Sequence, residues 1–350
     1  MEFHNTLETW YLKNKRNLPW RTSLNPYFIW LSEIILQQTR VQQGLAYYEK
    51  FIKHYPTVQD LANASEDAIL KDWQGLGYYS RARNLHYSAK YICNELNGVF
   101  PKNYNDLLKL KGVGDYTASA IASISYNEKA AVVDGNVYRV LARYFDIDLA
   151  INSTIGIKYF KNLAQELILN ADPRNYNQAL MDFGATLCKP QNPDCDRCPL
   201  QDSCLAKANN TIGERPIKEK KIKLKHRYFN FLVFNINGEF TLLERRVGKG
   251  IWENLYQFPL IESQKTVSES ELKDLIPSTQ YNSITIFNEA PVIHKLSHQH
   301  LHTTFWLIDS NEIEHENKIN WKDIDTYAVP ILIHSFIESY KRELFSVNLV

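Results

Sequence analysis

The sequence predicts two folded parts in series, a mainly helical one followed by one of mixed α and β character. Apolar residues recur at helical spacing through most of residues 26–205. A polar, lysine-rich stretch, ANNTIGERPIKEKKIKLKHR, then breaks the pattern at about 207–226 and reads as a linker. Beyond it lie β-rich runs on either side of Asn237-Gly238. At 350 residues the chain exceeds one ordinary core, and a 44% hydrophobic content excludes a disordered chain. The N-terminal MEFHNTLETWYLKNKR has no apolar core and no cleavage site, so no signal peptide is expected. No apolar run is as long as a membrane span. An intracellular protein with reduced thiols is the expectation, in the cytoplasm or nucleoid if the source is bacterial.

The elements follow in order. SEDAILKDW opens with a capping Ser65 and has acids in its first turn. SRARNLHYSAKYICNELNG places Leu85, Ala89, Ile92 and Leu96 at helical spacing before the stop Gly98, with Cys93 expected as a small buried residue. NDLLKLKGVGDYTASAIASI reads as two helices joined by the hairpin Gly112-Val113-Gly114, with Asp115 placed to cap the second. Positive φ at Gly112 and Gly114 would let several N–H groups face one phosphate at a helix start. In YFNFLVFNINGEFTLLERR the Asn237-Gly238 pair signals a hairpin. HLHTTFWLI is a strand candidate and VPILIHSFIESYKREL a closing helix.

Charge is divided unevenly. Residues 1–225 hold 29 Lys and Arg against 23 Asp and Glu, whereas residues 226–350 hold 11 against 16. The first part can therefore meet nucleic acid, and the second is less suited to phosphate. Four of the five cysteines, Cys188, Cys195, Cys198 and Cys204, crowd into CKPQNPDCDRCPLQDSC. In a reducing compartment such a cluster points to a metal or an iron–sulfur group rather than to disulfides. The spacing alone fits a tetrahedral zinc and a four-iron cluster equally. Pro190, Pro193 and Pro199 keep the loop from becoming helical.

Several stretches together resemble the endonuclease III and MutY superfamily of helix-hairpin-helix DNA glycosylases. The cysteine quartet resembles its iron–sulfur loop, LKGVGDYTASA its hairpin and VDGNVYRVLAR its catalytic-aspartate segment. LPWR, SEIILQQTRV and WQGLGYYSRARNL are similar to the MutY branch, whose members remove adenine mispaired with 8-oxoguanine or guanine. The resemblance implies a mainly α helix-hairpin-helix glycosylase domain with an iron–sulfur loop, plus a C-terminal α+β Nudix-like domain. The expected division is a catalytic domain over 1–206, with the hairpin at about 105–125 and the iron–sulfur loop at 188–204. A linker over 207–226 and a lesion-recognition domain over 227–350 complete it. One 4Fe–4S cluster on the four cysteines, a monovalent cation at the hairpin, duplex DNA as partner and a monomeric state are implied with it.

The resemblance also distributes roles. Glu33 in SEIILQQTR is implied as the acid that protonates the base, and Asp134 as the carboxylate that stabilises the positive sugar, much as paired carboxyls act in glycoside hydrolysis. Read from residue type alone, Glu33 is more often a solvated-face residue and Asp134 a helix cap, and Asp134 can do both jobs. Opposed environments should separate the two in proton affinity, with Glu33 kept protonated. Tyr116 stands where bifunctional relatives carry lysine, and a phenol forms no Schiff base. A monofunctional enzyme is therefore expected, and Tyr138, four residues past Asp134, points the same way. Asn136 is implied to orient the water or the aspartate. Gly112, Val113, Gly114, Gln38, Thr39, Leu76 and Tyr78 are implied DNA contacts, the last two in a wedge region. Trp20, Arg21 and Gln178 resemble the adenine pocket, with glutamine where some relatives have glutamate.

The C-terminal part resembles the family's Nudix-like module through RRVGKGIWENLYQFPL and HKLSHQHLHTTFW. It lacks the glutamate-dense helix that a Nudix hydrolase needs for magnesium. Leu296-Ser297-His298 stands where the family has Phe-Ser-His to read 8-oxoguanine. His294, His298, His300 and His302 alternate along a β-rich stretch and are expected to share one polar strand face rather than bind metal. The competing readings are a non-catalytic zinc-containing helix-hairpin-helix protein and a bifunctional glycosylase of the endonuclease III type.

Overall fold

The computed structural model describes residues 3–219, 224–277, 281–311 and 313–347. It divides into two compact units, Met1–Asn63 with Asn84–Lys220, and Ala64–Arg83 with Lys221–Val350. Among the described residues no helix is long and apolar enough to cross a membrane.

The first unit is helical. It opens with α1 (Phe3–Asn14), a 3₁₀ turn at Pro19–Arg21, α2 (Pro26–Leu36), α3 (Val41–His54) and α4 (Val58–Asn63). Pro26 at the first helical position and the Asn25 side chain, which accepts from the Tyr27 N–H, set the start of α2. After α5 (Glu66–Asp72), α6 (Ser80–Glu95) passes from the second unit into the first. The unit then continues with α7 (Tyr104–Leu107), α8 (Asp115–Tyr126), α9 (Gly135–Tyr144), α10 (Thr154–Leu167), α11 (Pro173–Thr186) and α12 (Leu205–Ala208). Small residues Thr117 to Ser123 make α8 a buried rod that packs on α2 and α11. α11 in turn packs on α1 and α9 and is buried from Tyr176 to Gly184. Its close approach to α9 depends on Gly184, where a Cβ would stand 2.7 Å from Asn136 Cβ and 3.0 Å from its carbonyl oxygen.

In the second unit, β1 (Lys225–Ile236) turns through Asn237 and Gly238, both at positive φ, into β2 (Phe240–Leu242), the expected hairpin. Lys225 and His226 thus belong to a strand rather than to the linker. The short β3 (Glu244–Arg245) pairs with β4 (Tyr256–Gln257), and β5 (Leu260–Ser263) returns antiparallel to β1. After α13 (Glu269–Lys273), β6 (Ser283–Ile286) and β7 (Val292–Lys295) pair in succession along one edge of β8 (Gln299–Ser310), whose other edge runs parallel to β1. The main sheet has the order β6-β8-β1-β2-β9, with β9 (Lys318–Asn320) at one end. α14 (Ile331–Val347) is the predicted closing helix, and Phe336 stacks on Phe305 of β8 with ring centroids 4.1 Å apart.

Residues 64–83 join this unit through specific bonds. Lys71 Nζ donates to the Tyr327 carbonyl at 3.0 Å, and Arg83 Nη2 pairs with Glu253 at 2.9 Å. Ser65 caps α5 as expected, accepting from the Ala68 N–H. Cys93 is half-buried rather than buried, its Sγ 3.7 Å from the Val58 carbonyl.

Replacing Gly184 with alanine is expected to destabilise the helical unit by about 1–3 kcal/mol, the usual cost of overpacking. A thermal melt reads this directly. An unchanged Tm would show that α9 and α11 part without cost.

Candidate active site

Glu33 lies in the last turns of α2, within WLSEIIL, where residues 29–35 are buried. The helix therefore carries a carboxyl on an inward face, with 7% of the residue exposed. Burial pushes this carboxyl up to about 7, against the pull of a hydrogen bond from Tyr116 and the charge of Arg21 and with the help of the Asp134 charge. Tyr116 sits in the first turn of α8, and burial beside both carboxyls pushes its phenol well above the ordinary range. Its hydroxyl is also 3.4 Å from Met181 Sδ.

Asp134 caps α9. Its Oδ1 accepts from the Asn136 and Val137 N–H groups at 2.8 Å each, and Oδ2 accepts from Asn136 Nδ2 at 2.7 Å. Burial raises this carboxyl too, but the three donors and Arg139 act in the opposite direction. The two carboxyls differ in what surrounds them more than in direction of shift. The reading of Asp134 as a helix cap is thus borne out in the structure.

Glu33 and Asp134, about a hundred positions apart in sequence, line one cleft of about 660 Å³ together with Trp20, Arg21, Thr39, Tyr116, Asn136 and Gln178. That size is ordinary for a small-molecule site, about 300–1,000 Å³. A second opening of about 600 Å³ shares both carboxyls and runs past Gln38 to Gly114 and Tyr138. Trp20 packs edge-on against Tyr48. Gln178 is held in place, its Oε1 accepting from Tyr11 at 3.2 Å and its Nε2 donating to the Arg174 carbonyl.

At the hairpin, Gly112 has φ +82°, and a Cβ there would come within 2.7 Å of Asn84 Cβ. Gly114 departs from expectation with φ −94°. It, not Asp115, is the N-cap of α8, and no side chain caps the helix. The first N–H groups of α8 are therefore left for an anion. Asp115 is turned instead to Lys161 at 2.9 Å and to the Tyr104 hydroxyl. A Cβ on Gly114 would meet nothing within 4 Å, so its glycine leaves open space beside the backbone.

Within the second unit, Tyr78 is 48% exposed at φ +49°, and its hydroxyl is 2.6 Å from Ser297 Oγ. Leu76, by contrast, is buried, so it does not stand out as a wedge. Tyr78, Arg83, Trp252, Leu296, Ser297 and His298 line a cleft of about 240 Å³. The four histidines do not share one face. His294 on β7 stands opposite Leu301, His298 is in the turn, and His300 and His302 meet His226 of β1. The even spacing misled because a turn separates the two strands.

The thiols of Cys188, Cys195, Cys198 and Cys204 line one cavity with Val140, Phe183, Leu187 and Leu200. Among the described residues no group of three or more His, Cys, Asp or Glu is arranged to hold a single metal ion. Four thiols around one apolar cavity suit an iron–sulfur group by the chemistry of the donors. Burial pushes Cys198 up to about 11, so its thiolate needs a positive partner. Arg143 donates to Cys188 Sγ at 3.5 Å, and Arg139 joins the Cys188 carbonyl to Asn136 Oδ1.

Sequence reading missed Arg16, Tyr11, Arg139, Met181 and Asp182. Asp182 lies four residues after Gln178, hence on the same side of α11, which was the available signal.

A family model for HhH-GPD superfamily base excision DNA repair proteins matches residues 31–154. The iron–sulfur binding domain of endonuclease III matches 188–204, and a NUDIX domain matches 230–339. The adenine DNA glycosylase of Buchnera aphidicola subsp. Baizongia pistaciae is 37% identical over 92% of this chain and 91% of its own. The chain belongs to the adenine DNA glycosylase family. It is a DNA glycosylase with an iron–sulfur binding loop and a Nudix-like domain. Within this family the Mus musculus adenine DNA glycosylase is 44% identical over 58% of this chain and 41% of its own. A thermostable thymine-DNA glycosylase structure covers 59% of the chain at 33% identity and TM-score 0.55. An endonuclease III–DNA complex covers 59% at 22% identity and TM-score 0.51, a likeness of fold.

Because Glu33 binds its proton more tightly when folded than its ordinary value of 4.5 allows, its contribution favours the fold at low pH. That contribution is lost as pH rises toward 7. A Glu33→Gln variant should therefore gain stability relative to the parent across this range, as read by Tm against pH. Parallel curves would show that the carboxyl is not held neutral.

Proposed function

We propose that this glycosylase is monofunctional and hydrolyses the N-glycosidic bond of adenine mispaired with 8-oxoguanine or guanine in base excision repair. The observation that supports this most is a carboxyl that keeps its proton near pH 7 beside a second carboxyl surrounded by donors. Adenine leaves poorly as an anion. Glu33 passes its proton to the base ring as the C–N bond breaks, and the bonding pair stays on the base. The Asp134 carboxylate then faces the positive sugar carbon, its charge favoured by the N–H groups at the head of α9. Water adds to that carbon and returns a proton to Glu33. Asn136 orients the water or the aspartate. Tyr116 offers a phenol where an amine would be needed to form an imine, so the strand is not cut.

Trp20 forms the wall of the base pocket, and Arg21 and Gln178 meet its edge. Gly112, Val113 and Gly114, with the uncapped start of α8, would hold a DNA phosphate and a monovalent cation. Gln38 and Thr39 touch bases, and exposed Tyr78, rather than buried Leu76, fills the space left by the extruded nucleotide. Cys188, Cys195, Cys198 and Cys204 hold a 4Fe–4S cluster, which when bound pins the loop 188–204. Residues 1–206 then act as the catalytic domain. The Nudix-like domain over 227–350 reads the opposite base through Ser297 and His298, with Leu296 in place of an aromatic contact. The enzyme works as a monomer in the cytoplasm or nucleoid.

Single-turnover release of adenine from a duplex with adenine opposite 8-oxoguanine tests this. Glu33→Gln should slow release about 100-fold or more while duplex affinity holds, and near-parental turnover would remove Glu33 as the acid. Borohydride should trap little covalent product, and abundant trapping would contradict the monofunctional reading. Ser297→Ala or His298→Ala should narrow the preference for 8-oxoguanine over guanine, and an unchanged preference would exclude those residues.

A further inference from the structure

Asp182 belongs to neither carboxyl of the proposed reaction, yet its side chain is wholly buried in α11. All its lone pairs are engaged by arginine. Oδ1 accepts from Arg16 Nε and Arg21 Nη2 at 2.7 Å each. Oδ2 accepts from Arg21 Nη1 at 2.5 Å and from the Arg16 backbone N–H at 3.2 Å. Both arginines line the cleft that contains Glu33. A buried carboxylate tied to two forks is a costly arrangement for stability alone, and packed apolar residues often serve as well.

We infer that Asp182 is a positioning residue that clamps Arg21 in the cleft and offsets its charge beside Glu33. This rests on the reading of Glu33 as the acid. Glu33 faces Arg21 from the 3₁₀ turn, Tyr116 from α8 and Asp134 at the head of α9, and Arg16, Arg40 and Arg139 line the same cleft. Of these, Asp134 favours the proton, whereas Tyr116 and Arg21 oppose it. Arg21 itself faces Asp182, Glu33 and the ring of Tyr11, whose centroid is 5.8 Å away. With Asp182 ionised, the Arg16, Arg21 and Asp182 trio carries one net positive charge. With a neutral residue at 182 it carries two, and Glu33 loses its proton at lower pH. Burial alone would raise the Asp182 carboxyl, but hydrogen bonds and charge from Arg21 and Arg16 hold it below the usual range, so it stays ionised wherever Glu33 is protonated near neutrality.

The test is the pH profile of single-turnover adenine release by the full, cluster-loaded chain. In Asp182→Asn the descending limb should move to lower pH by about one unit, the effect of an uncompensated nearby charge. In Asp182→Glu, which restores the charge, it should stay with the parent even if the rate falls. Arg21→Gln removes the charge itself and should move the limb upward, which decides the matter if Asp182→Asn does not fold. A limb unmoved in Asp182→Asn, or in Arg21→Gln, would overturn the proposal and leave Asp182 a structural residue. Glu33→Gln in the same assay separates the two failures. If it turns over, the acid assignment falls. If it is inactive and the limbs coincide, only the role of Asp182 falls.

Discussion

The site depends on one constraint, a carboxyl placed on the inward face of an apolar helix. α2 cannot expose Glu33 without also exposing Ile29, Trp30, Ile34 or Ile35, all of which are buried. Burial on this face weakens the solvation of a group that ordinarily ionises near 4.5 and is here pushed to about 7. Desolvation is the largest influence on it, and it is a property of the whole helix packing rather than of one contact.

The rest of the first unit serves that helix. α8 is built of small residues, so α2 can lie close to it and Tyr116 can reach Glu33. α11 brings Gln178 and Met181 to the same cleft and Asp182 to the two arginines that line it, and Gly184 lets it approach α9 and its cap Asp134. Arg139 then ties the head of α9 to the cysteine loop through Asn136 and the Cys188 carbonyl. The iron–sulfur loop and the cleft are thus joined by hydrogen bonds within one unit. A group bound at the thiols would fix the floor on which α9 rests.

Charge compensation is the second theme. Burial pushes Glu33 and Asp134 the same way, and their difference arises from their neighbours. Asp134 receives backbone donors at a helix start, an environment suited to an anion. Glu33 has a phenol and a guanidinium near it, and the guanidinium is already committed to Asp182. The same guanidinium thus lies beside one carboxyl while bonded to another.

Much of this was determined by sequence alone, because it rests on local chemistry. Ser65 and Asp134 cap their helices, Asn237-Gly238 makes its hairpin and α14 closes the chain, each from side chains within a few residues. The family motifs likewise pointed to Glu33 and Asp134, which line one cleft, and to four cysteines, which line one cavity. What only the tertiary structure decided depends on which faces meet. Gly114 adopts negative φ because it caps α8, a choice open to any residue type. The histidines separate because a turn falls between β7 and β8. Leu76 is buried while Tyr78 is exposed, and residues 64–83 belong with the second unit, a grouping that chain order conceals. Asp182 finds Arg16 and Arg21 more than 160 positions away, and no spacing in the sequence records that meeting.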